Sequence, residues 1–283
     1  MFRRIGYTWH LMGASLDVLK RDKELMLFPL ISGIACLLVM ASFVAPIFLR
    51  PGFMDFPDQN ATLEQQVFFY LYLFAFYFCN YFVIVFFNTS IIACAVLRFE
   101  GHDPTVGDGL RASFGRLPQI AGWAALSATV GLVLRIIENY SEKVGQVVAG
   151  LLGLAWTIVS FLAVPVLVIE KKGPFAALAE STKLLKKTWG EQLVGAWSFG
   201  GIFFLLGIPA WLALIGGIAL LASDHATLGI ALIALAVIYL IVLSLVQSCL
   251  QTIFQTALYL YTRDGRAPEG FSAEMLGGAL ARS

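Results

Sequence analysis

Residues 226–261 read ATLGIALIALAVIYLIVLSLVQSCLQTIFQTALYLY, a run that contains no Asp, Glu, Lys or Arg. A helix needs about 20 mainly apolar residues to cross the hydrocarbon core of a bilayer, and this run is longer. Lipid offers no partner for free backbone N–H and C=O groups, so such a segment crosses a membrane as a helix. The stretch therefore predicts an all-α integral membrane protein.

The rest of the chain has the same character. Of its 283 residues, 59% are hydrophobic and only 13% are charged, whereas about a quarter of a soluble domain is charged. We predict a single polytopic membrane domain, residues 1–283, with six spans: 25–49, 67–97, 118–137, 145–169, 191–222 and 226–261. The second and last spans exceed the hydrocarbon thickness, so we expect them to tilt, kink or protrude.

The basic residues alternate with the predicted spans. Of the 19 Lys and Arg residues, only Arg50, Arg135 and Lys143 fall on one side of the membrane, and all others fall on the opposite side together with both termini. Cytoplasmic loops of membrane proteins are enriched in Lys and Arg. The pattern predicts a multi-pass protein of the bacterial cytoplasmic (inner) membrane with both termini in the cytoplasm.

Three amphipathic segments precede the odd-numbered spans. Aligning Ser15, Ser113 and Ser181 in one column places Leu19, Leu117 and Leu185 in a second. Apolar residues recur every three or four positions, as in a helix, and helices with one basic and one apolar face lie in the membrane interface. We predict interfacial elbow helices at about 4–20, 104–117 and 174–188, and hence three elbow-plus-hairpin pseudo-repeats.

Three stretches resemble a known family. They are SLDVLKRDKELMLFPLISGI (15–34), FFNTSIIACAVLRFEGHDPTVGDGLRASFGRLPQIAGWAALSATVGLVLR (86–135) and FLAVPVLVIEKKGPFAALAESTKLLKKTWGEQLVGAW (161–197). They are similar to a family of uncharacterised bacterial multi-pass membrane proteins, known only as a domain of unknown function. The resemblance covers about residues 1–200, and it implies no activity, cofactor or catalytic residue.

The sequence carries no recognisable catalytic or metal-binding pattern. His10, His102 and His225 are far apart, and the four cysteines are isolated in apolar runs. No HExxH, GxSxG or Gly-rich phosphate loop is present. We therefore expect no enzymatic activity, no cofactor, no metal and no nucleic-acid partner.

Ionisable residues inside the bilayer mark coupled transport and proton relays. The closest candidates are Arg135 and Glu138 at the outer end of the third span, three residues apart. Residues at this spacing are neighbours on a helix and can pair with each other. We therefore interpret them as a local ion pair, which leaves proton- or sodium-driven transport without support.

Two polar faces stand out on apolar helices. The first, called the α10 polar face, lies on the predicted span 226–261 and comprises Gln247, Gln251, Gln255, Ser248 and Thr252, flanked by Ser244 and Thr256. The α3 face comprises Tyr70, Tyr77, Tyr81 and Asn88, which share one side of the second span. Lipid cannot satisfy three primary amides. We hypothesise that the two faces meet in an interhelical seam or front a shared polar cavity.

The leading expectation for function is non-catalytic. The protein would act as a scaffold or accessory subunit that packs against other membrane proteins or organises lipid. Its partners would be membrane lipids and, as a further option, another integral membrane protein. The alternative is a channel or carrier for a neutral or amphiphilic molecule, with the two polar faces along its path.

Overall fold

A computed structural model of the chain describes residues 2–49, 62–140, 144–187, 191–223 and 225–277. The regular secondary structure of these residues is helical, and no strand occurs among them. The helices are α1 (Phe2–Arg21), α2 (Leu27–Leu49), α3 (Leu63–Phe99), α4 (Val106–Phe114), α5 (Leu117–Tyr140), α6 (Val144–Val159), α7 (Ala163–Ile169), α8 (Pro174–Lys187), α9 (Glu191–Leu221), α10 (Ala226–Asp264) and α11 (Ala273–Gly277).

Six apolar segments within the described residues are long enough to cross a membrane, which confirms the predicted number. They are Lys23–Leu49, Leu63–Phe99, Leu117–Asn139, Val144–Ile169, Gly200–Leu221 and Ala226–Asp264. The third segment includes Glu138, which the sequence placed just outside its span. The fifth lies within the predicted range of 191–222, and α9 itself begins at Glu191.

The two long helices extend well past a hydrocarbon core. α3 has 37 residues and α10 has 39, which at 1.5 Å per residue is about 55 and 58 Å, against roughly 30 Å of hydrocarbon. Their C-terminal parts hold their most buried side chains, Ile91 and Ile92 in α3 and Ile253 and Ala257 in α10. Burial in both helices is therefore concentrated toward the C-terminal end.

The described chain separates into two compact units. The first unit contains α1, a 3-10 turn at Lys23–Met26, residues Phe99–Gly101, α9, α10 and α11. The second contains α2 to α8. The prediction of one polytopic domain is not decided by this division and stays a prediction.

Glycines bring α9 and α10 close together in the first unit. A Cβ atom on Gly229 would lie 2.7 Å from the carbonyl oxygen of Gly217 and 3.0 Å from the backbone nitrogen of Leu221. No real side chain fits at these distances, so only glycine allows this approach. Small residues serve the same purpose at helix interfaces in membranes generally.

α1 packs against α10 in the same unit. Leu11, Val18 and Leu19 of α1 are buried, and the Cys249 thiol of α10 donates to the carbonyl of Leu25 at 3.5 Å. The Ser15 hydroxyl is also buried and has no hydrogen-bond partner within the described part of the chain.

In the second unit, α4 packs against the C-terminal half of α3. The Ser113 hydroxyl lies 2.7 Å from that of Ser90 and donates to the carbonyl of Phe86 at 2.8 Å. Gly109 permits the approach, because a Cβ atom there would lie 2.9 Å from the Cys94 sulfur.

A capping box begins α4. The Thr105 side chain accepts from the Asp108 backbone N–H, and the Asp108 carboxylate accepts from the Thr105 backbone N–H at 3.0 Å. Hydrogen bonds from the Thr105 hydroxyl and then its backbone N–H lower the pKa of Asp108. Such a box satisfies two donors that a helix start leaves free.

The fourth apolar segment is broken between α6 and α7, and Ser181 of α8 bridges the break. Its hydroxyl donates to the carbonyl of Val159 at 2.7 Å and accepts from the backbone N–H of Leu162 at 3.1 Å. A helix end leaves such backbone groups unpaired. One buried hydroxyl therefore satisfies both sides of the break.

α8 is joined to the preceding loop by ion pairs. The Lys172 ammonium lies 2.6 Å from the Glu170 carboxylate and 3.3 Å from that of Glu180. The hydrogen bond to Glu170, and then that to Glu180, raises the pKa of Lys172.

Candidate binding cavity

A cavity of about 650 Å³ lies in the second unit. This volume is within the range of pockets that hold small molecules. Four helices line it: α2 with Phe43, Val44 and Ile47, α3 with Phe69, Tyr72, Leu73, Phe76 and Tyr77, α5 with Gly131, Leu134, Arg135, Glu138 and Asn139, and α6 with Gln146, Ala149 and Gly150.

Aromatic contacts hold the α2–α3 wall together. The Phe43 ring meets the Tyr72 ring edge-on at 5.0 Å and the Phe76 ring at 5.6 Å. The Tyr72 hydroxyl donates to the carbonyl of Phe43 at 2.5 Å. Because this bond occupies the hydroxyl proton, Tyr72 offers the cavity mainly its apolar ring.

The α5–α6 wall depends on a close backbone approach and a stacked pair of rings. A side chain at Gly145 would collide with the carbonyl of Ile137 at the end of α5. Farther along, the rings of Trp123 and Trp156 stack at 5.8 Å with an interplanar angle of 17°. The two contacts fix α5 and α6 at both ends of the hairpin.

Tyr77 and Gly131 form the inner end of the cavity. A Cβ atom on Gly131 would lie 3.5 Å from the Tyr77 ring and 3.8 Å from the Tyr81 hydroxyl, so α3 leaves room for no more than a small side chain on α5 here. From Gly131 to Asn139, α5 rises about 12 Å. The cavity therefore extends along roughly half of a membrane-spanning helix.

Polar groups collect at the opposite end, near the α5–α6 turn. The Arg135 guanidinium lies 2.7 Å from the Glu138 carboxylate, which confirms the predicted pairing. Asn139 and Gln146 lie beside this pair in the cavity lining. Among the described residues, the guanidinium makes no hydrogen bond other than that to Glu138, so its remaining N–H groups are available to a ligand.

The sequence predicted the ion pair, but it did not predict that the pair lines a cavity. The interpretation as a local pair gave it no role, because the aromatic residues of α2 and α3 that complete the site are distant in sequence. The sequence feature that could have indicated a polar site is Arg135 inside an apolar span, followed along the chain by Glu138, Asn139 and Gln146.

The arrangement suits an amphiphilic molecule. Aromatic and aliphatic side chains line most of the cavity, and the hydrogen-bonding groups lie at one end. Ligand sites are commonly apolar with a few polar groups that fix orientation. A chain-like apolar group fits the inner part, and a polar head fits beside Arg135.

The residues of the α3 face are partly brought together. Tyr77 and Tyr81 converge on Gly131, and of the four only Tyr77 lines the cavity. Tyr70 is half-buried with its ring 5.5 Å from that of Phe69, and Asn88 is half-buried farther along α3.

The α10 polar face lies in the first unit, on the part of α10 where burial begins. Thr252 and Thr256 are buried, and their hydroxyls donate within the helix to the carbonyls of Ser248 and Thr252 at 2.9 and 2.7 Å. Gln247, Gln251 and Gln255 are half-buried. No hydrogen bond of their amides is found among the described residues. That this face meets the α3 face stays a prediction.

The six apolar helices define the class: a multi-pass α-helical membrane protein, here with an amphiphilic cavity between two helical hairpins. The chain belongs to a family of unknown function (DUF6159), whose model matches residues 67–271. The match extends beyond residue 200, where the expected resemblance ended, and it does not include α1 or α2. A search of curated proteins finds none that matches the chain.

Proposed function

We propose that the protein binds a lipid-like amphiphile in the cavity between the α2–α3 and α5–α6 hairpins, and thereby carries or organises lipid without catalysing a reaction. The observation that supports this most directly is the cavity of about 650 Å³, apolar along its length and polar at the Arg135 end. A membrane supplies such molecules at high concentration. Of the two functions expected from the sequence, this favours the binding of an amphiphile.

The experiment uses the full chain in vesicles that contain a phospholipid with a diazirine in one acyl chain. After illumination, crosslinked peptides are located by mass spectrometry. Gly150→Leu should fill the cavity without a clash, because no atom lies within 4 Å of a Cβ at that position. We expect crosslinks to cavity-lining peptides in the unmodified protein and their loss in this variant.

Gly33→Leu is the matched control. Gly33 lies in α2, a Cβ at this position would likewise meet no atom within 4 Å, and the residue is not part of the cavity lining. Its crosslinks should resemble those of the unmodified protein. Crosslinks to α5 and α6 that persist unchanged in Gly150→Leu would contradict the proposal.

The proposed architecture is three elbow-plus-hairpin repeats. Ser15, Ser113 and Ser181 are all fully buried, and the last two bond to carbonyls of the preceding hairpin, which supports the serine column. The alignment of the three leucines has weaker support, since Leu19 and Leu185 are buried but Leu117 is 36% exposed. α4 ends at Phe114, so Leu117 already belongs to α5.

An interfacial position for the elbows is supported by one exposed aromatic on each. Trp9 of α1, Phe114 of α4 and Phe175 of α8 are 57%, 61% and 73% exposed, and apolar faces of this kind insert at the membrane boundary. Together with the distribution of Lys and Arg, this supports cytoplasmic termini in a bacterial inner membrane. The cavity then opens toward the outer leaflet.

A scaffold or accessory role is the second candidate, and the α10 polar face supports it. Half-buried amides have donors and acceptors that can bond to another chain in place of water, and another integral membrane protein can supply that chain. Gln251→Leu should then reduce co-purification of that protein from native membranes, while Thr227→Val, at an exposed position near the other end of α10, should not. Equal co-purification in both variants would count against this role.

A further inference from the structure

We propose that the cavity selects a zwitterionic phospholipid whose headgroup carries both a phosphate and a protonated amine. This rests on the proposed function and names the class of amphiphile. The feature behind it is the Arg135–Glu138 pair, which presents one cation and one anion together at the polar end of an apolar cavity.

Each member of the pair retains hydrogen-bonding capacity. A guanidinium has five N–H donors and a carboxylate has about four acceptor sites, and the 2.7 Å contact uses one of each. The side chains of Arg135 and Glu138 are 46% and 39% exposed. A phosphate can therefore bind the guanidinium while an ammonium group binds the free carboxylate oxygen.

Charge balance argues against a purely anionic headgroup. Arg135 alone would attract any phosphate, but Glu138 is one helical turn away and would repel a second negative charge. A headgroup with a phosphate and an ammonium neutralises both residues at once. Asn139 and Gln146 can add neutral hydrogen bonds at the same end.

The inner cavity fits the acyl part of the same molecule. Phe43, Phe76 and Gly131 line the apolar space below the charged pair, which is about 6 Å deep from Arg135 to Gly131, judged from the rise of α5, and holds the start of an acyl chain. A phospholipid has this sequence of parts: a charged head followed by hydrocarbon. One phospholipid therefore matches both ends of the cavity, with its headgroup beside Arg135 and the start of its hydrocarbon below.

The test is competitive retention. The full chain is reconstituted in vesicles with equal parts of phosphatidylethanolamine, phosphatidylglycerol and phosphatidylcholine, extracted gently, and analysed by native mass spectrometry. We expect phosphatidylethanolamine to be retained preferentially. Glu138→Gln should shift the ratio toward phosphatidylglycerol by about tenfold, the scale of one lost charge-assisted hydrogen bond.

The double variant Arg135→Gln with Glu138→Gln keeps the site neutral and guards against misfolding from an unpaired charge. It should retain lipid without preference among the three headgroups. A second outcome is that the unmodified protein retains all three lipids equally and that Gly150→Leu abolishes their retention. That result would overturn the headgroup inference and leave the proposed function intact. Retention unaffected by Gly150→Leu would overturn both.

Discussion

Ser181 shows how one buried side chain can allow a helix to break inside an apolar segment. Because α6 ends at Val159 and α7 begins at Ala163, backbone groups between them lack helical partners. The serine hydroxyl supplies an acceptor and a donor in the same place. Sequence alone could not indicate that a residue of α8 would satisfy the break, because Ser181 is distant from it along the chain.

We predict that Ser181→Ala lowers the free energy of unfolding by about 1–3 kcal/mol, the usual effect of leaving a buried polar group unpaired. Thr182→Val is the control, since its hydroxyl bonds only to Leu178 within α8. Thermal unfolding in detergent micelles measures both. Equal losses in the two variants would show that the bridge adds nothing beyond an ordinary helical hydrogen bond.

Asp108 should make the start of α4 sensitive to acid. Its pKa is lowered from the ordinary value of 3.8 in the folded protein, so its stabilising contribution is complete above that value. The contribution is lost as pH falls through the lowered folded pKa. We expect hydrogen exchange at the backbone amides of Asp108 and Gly109, corrected for intrinsic rates, to accelerate below pH 3.8.

Asp108→Asn provides the comparison for this acid effect. An asparagine oxygen can still accept from Thr105 but carries no charge, so exchange at these amides should lose its acid dependence. An acid response of equal size in the variant would locate the titrating group elsewhere.

At the scale of elements, the length of α10 accounts for its polar face. Counted from Ala226, Gln247 lies about 32 Å along the helix, past the roughly 30 Å of a hydrocarbon core. The glutamines therefore need no partner within lipid if α10 enters the hydrocarbon at its first residue. The polar face is a pattern of the sequence alone, whereas its depth in the membrane depends on where the helix begins.

Gly229 sets the distance between α9 and α10. We expect Gly229→Ala to destabilise the first unit by roughly 1–3 kcal/mol, the range for overpacking, because the added methyl would meet the backbone of α9. Gly200→Ala in α9 should have no such effect, since a Cβ there meets no atom within 4 Å. Unfolding of both variants in micelles gives the comparison. A loss at Gly200 equal to that at Gly229 would argue against the close crossing.

For the whole molecule, the number of spans was predictable because each depends on a local run of apolar residues. Their boundaries shifted where a helix continued past its apolar run, as α5 does through Glu138. The cavity was not predictable, because Phe43, Tyr77 and Gly131 come from three helices that only the folded chain brings together. The pairing of Arg135 with Glu138 was predictable from the sequence, because both residues lie on one helix.

The proposed topology places the α7–α8 loop and the α9–α10 turn on opposite sides of the membrane. In a background without the four native cysteines, Ser223→Cys should react with an impermeant maleimide in intact cells. Gly173→Cys should react only after the membrane is opened. Both residues are exposed. Labelling of both from one side would contradict the alternating arrangement of six spans.

The Arg135–Glu138 pair also has an evolutionary consequence. A mutation that removes one charge leaves the other unpaired beside an apolar cavity, so intermediates with a single substitution are disfavoured. Descendants of a common ancestor should therefore keep both residues or exchange both. Across the family, positions 135 and 138 are expected to covary, whereas the lipid-facing positions around them are free to drift independently.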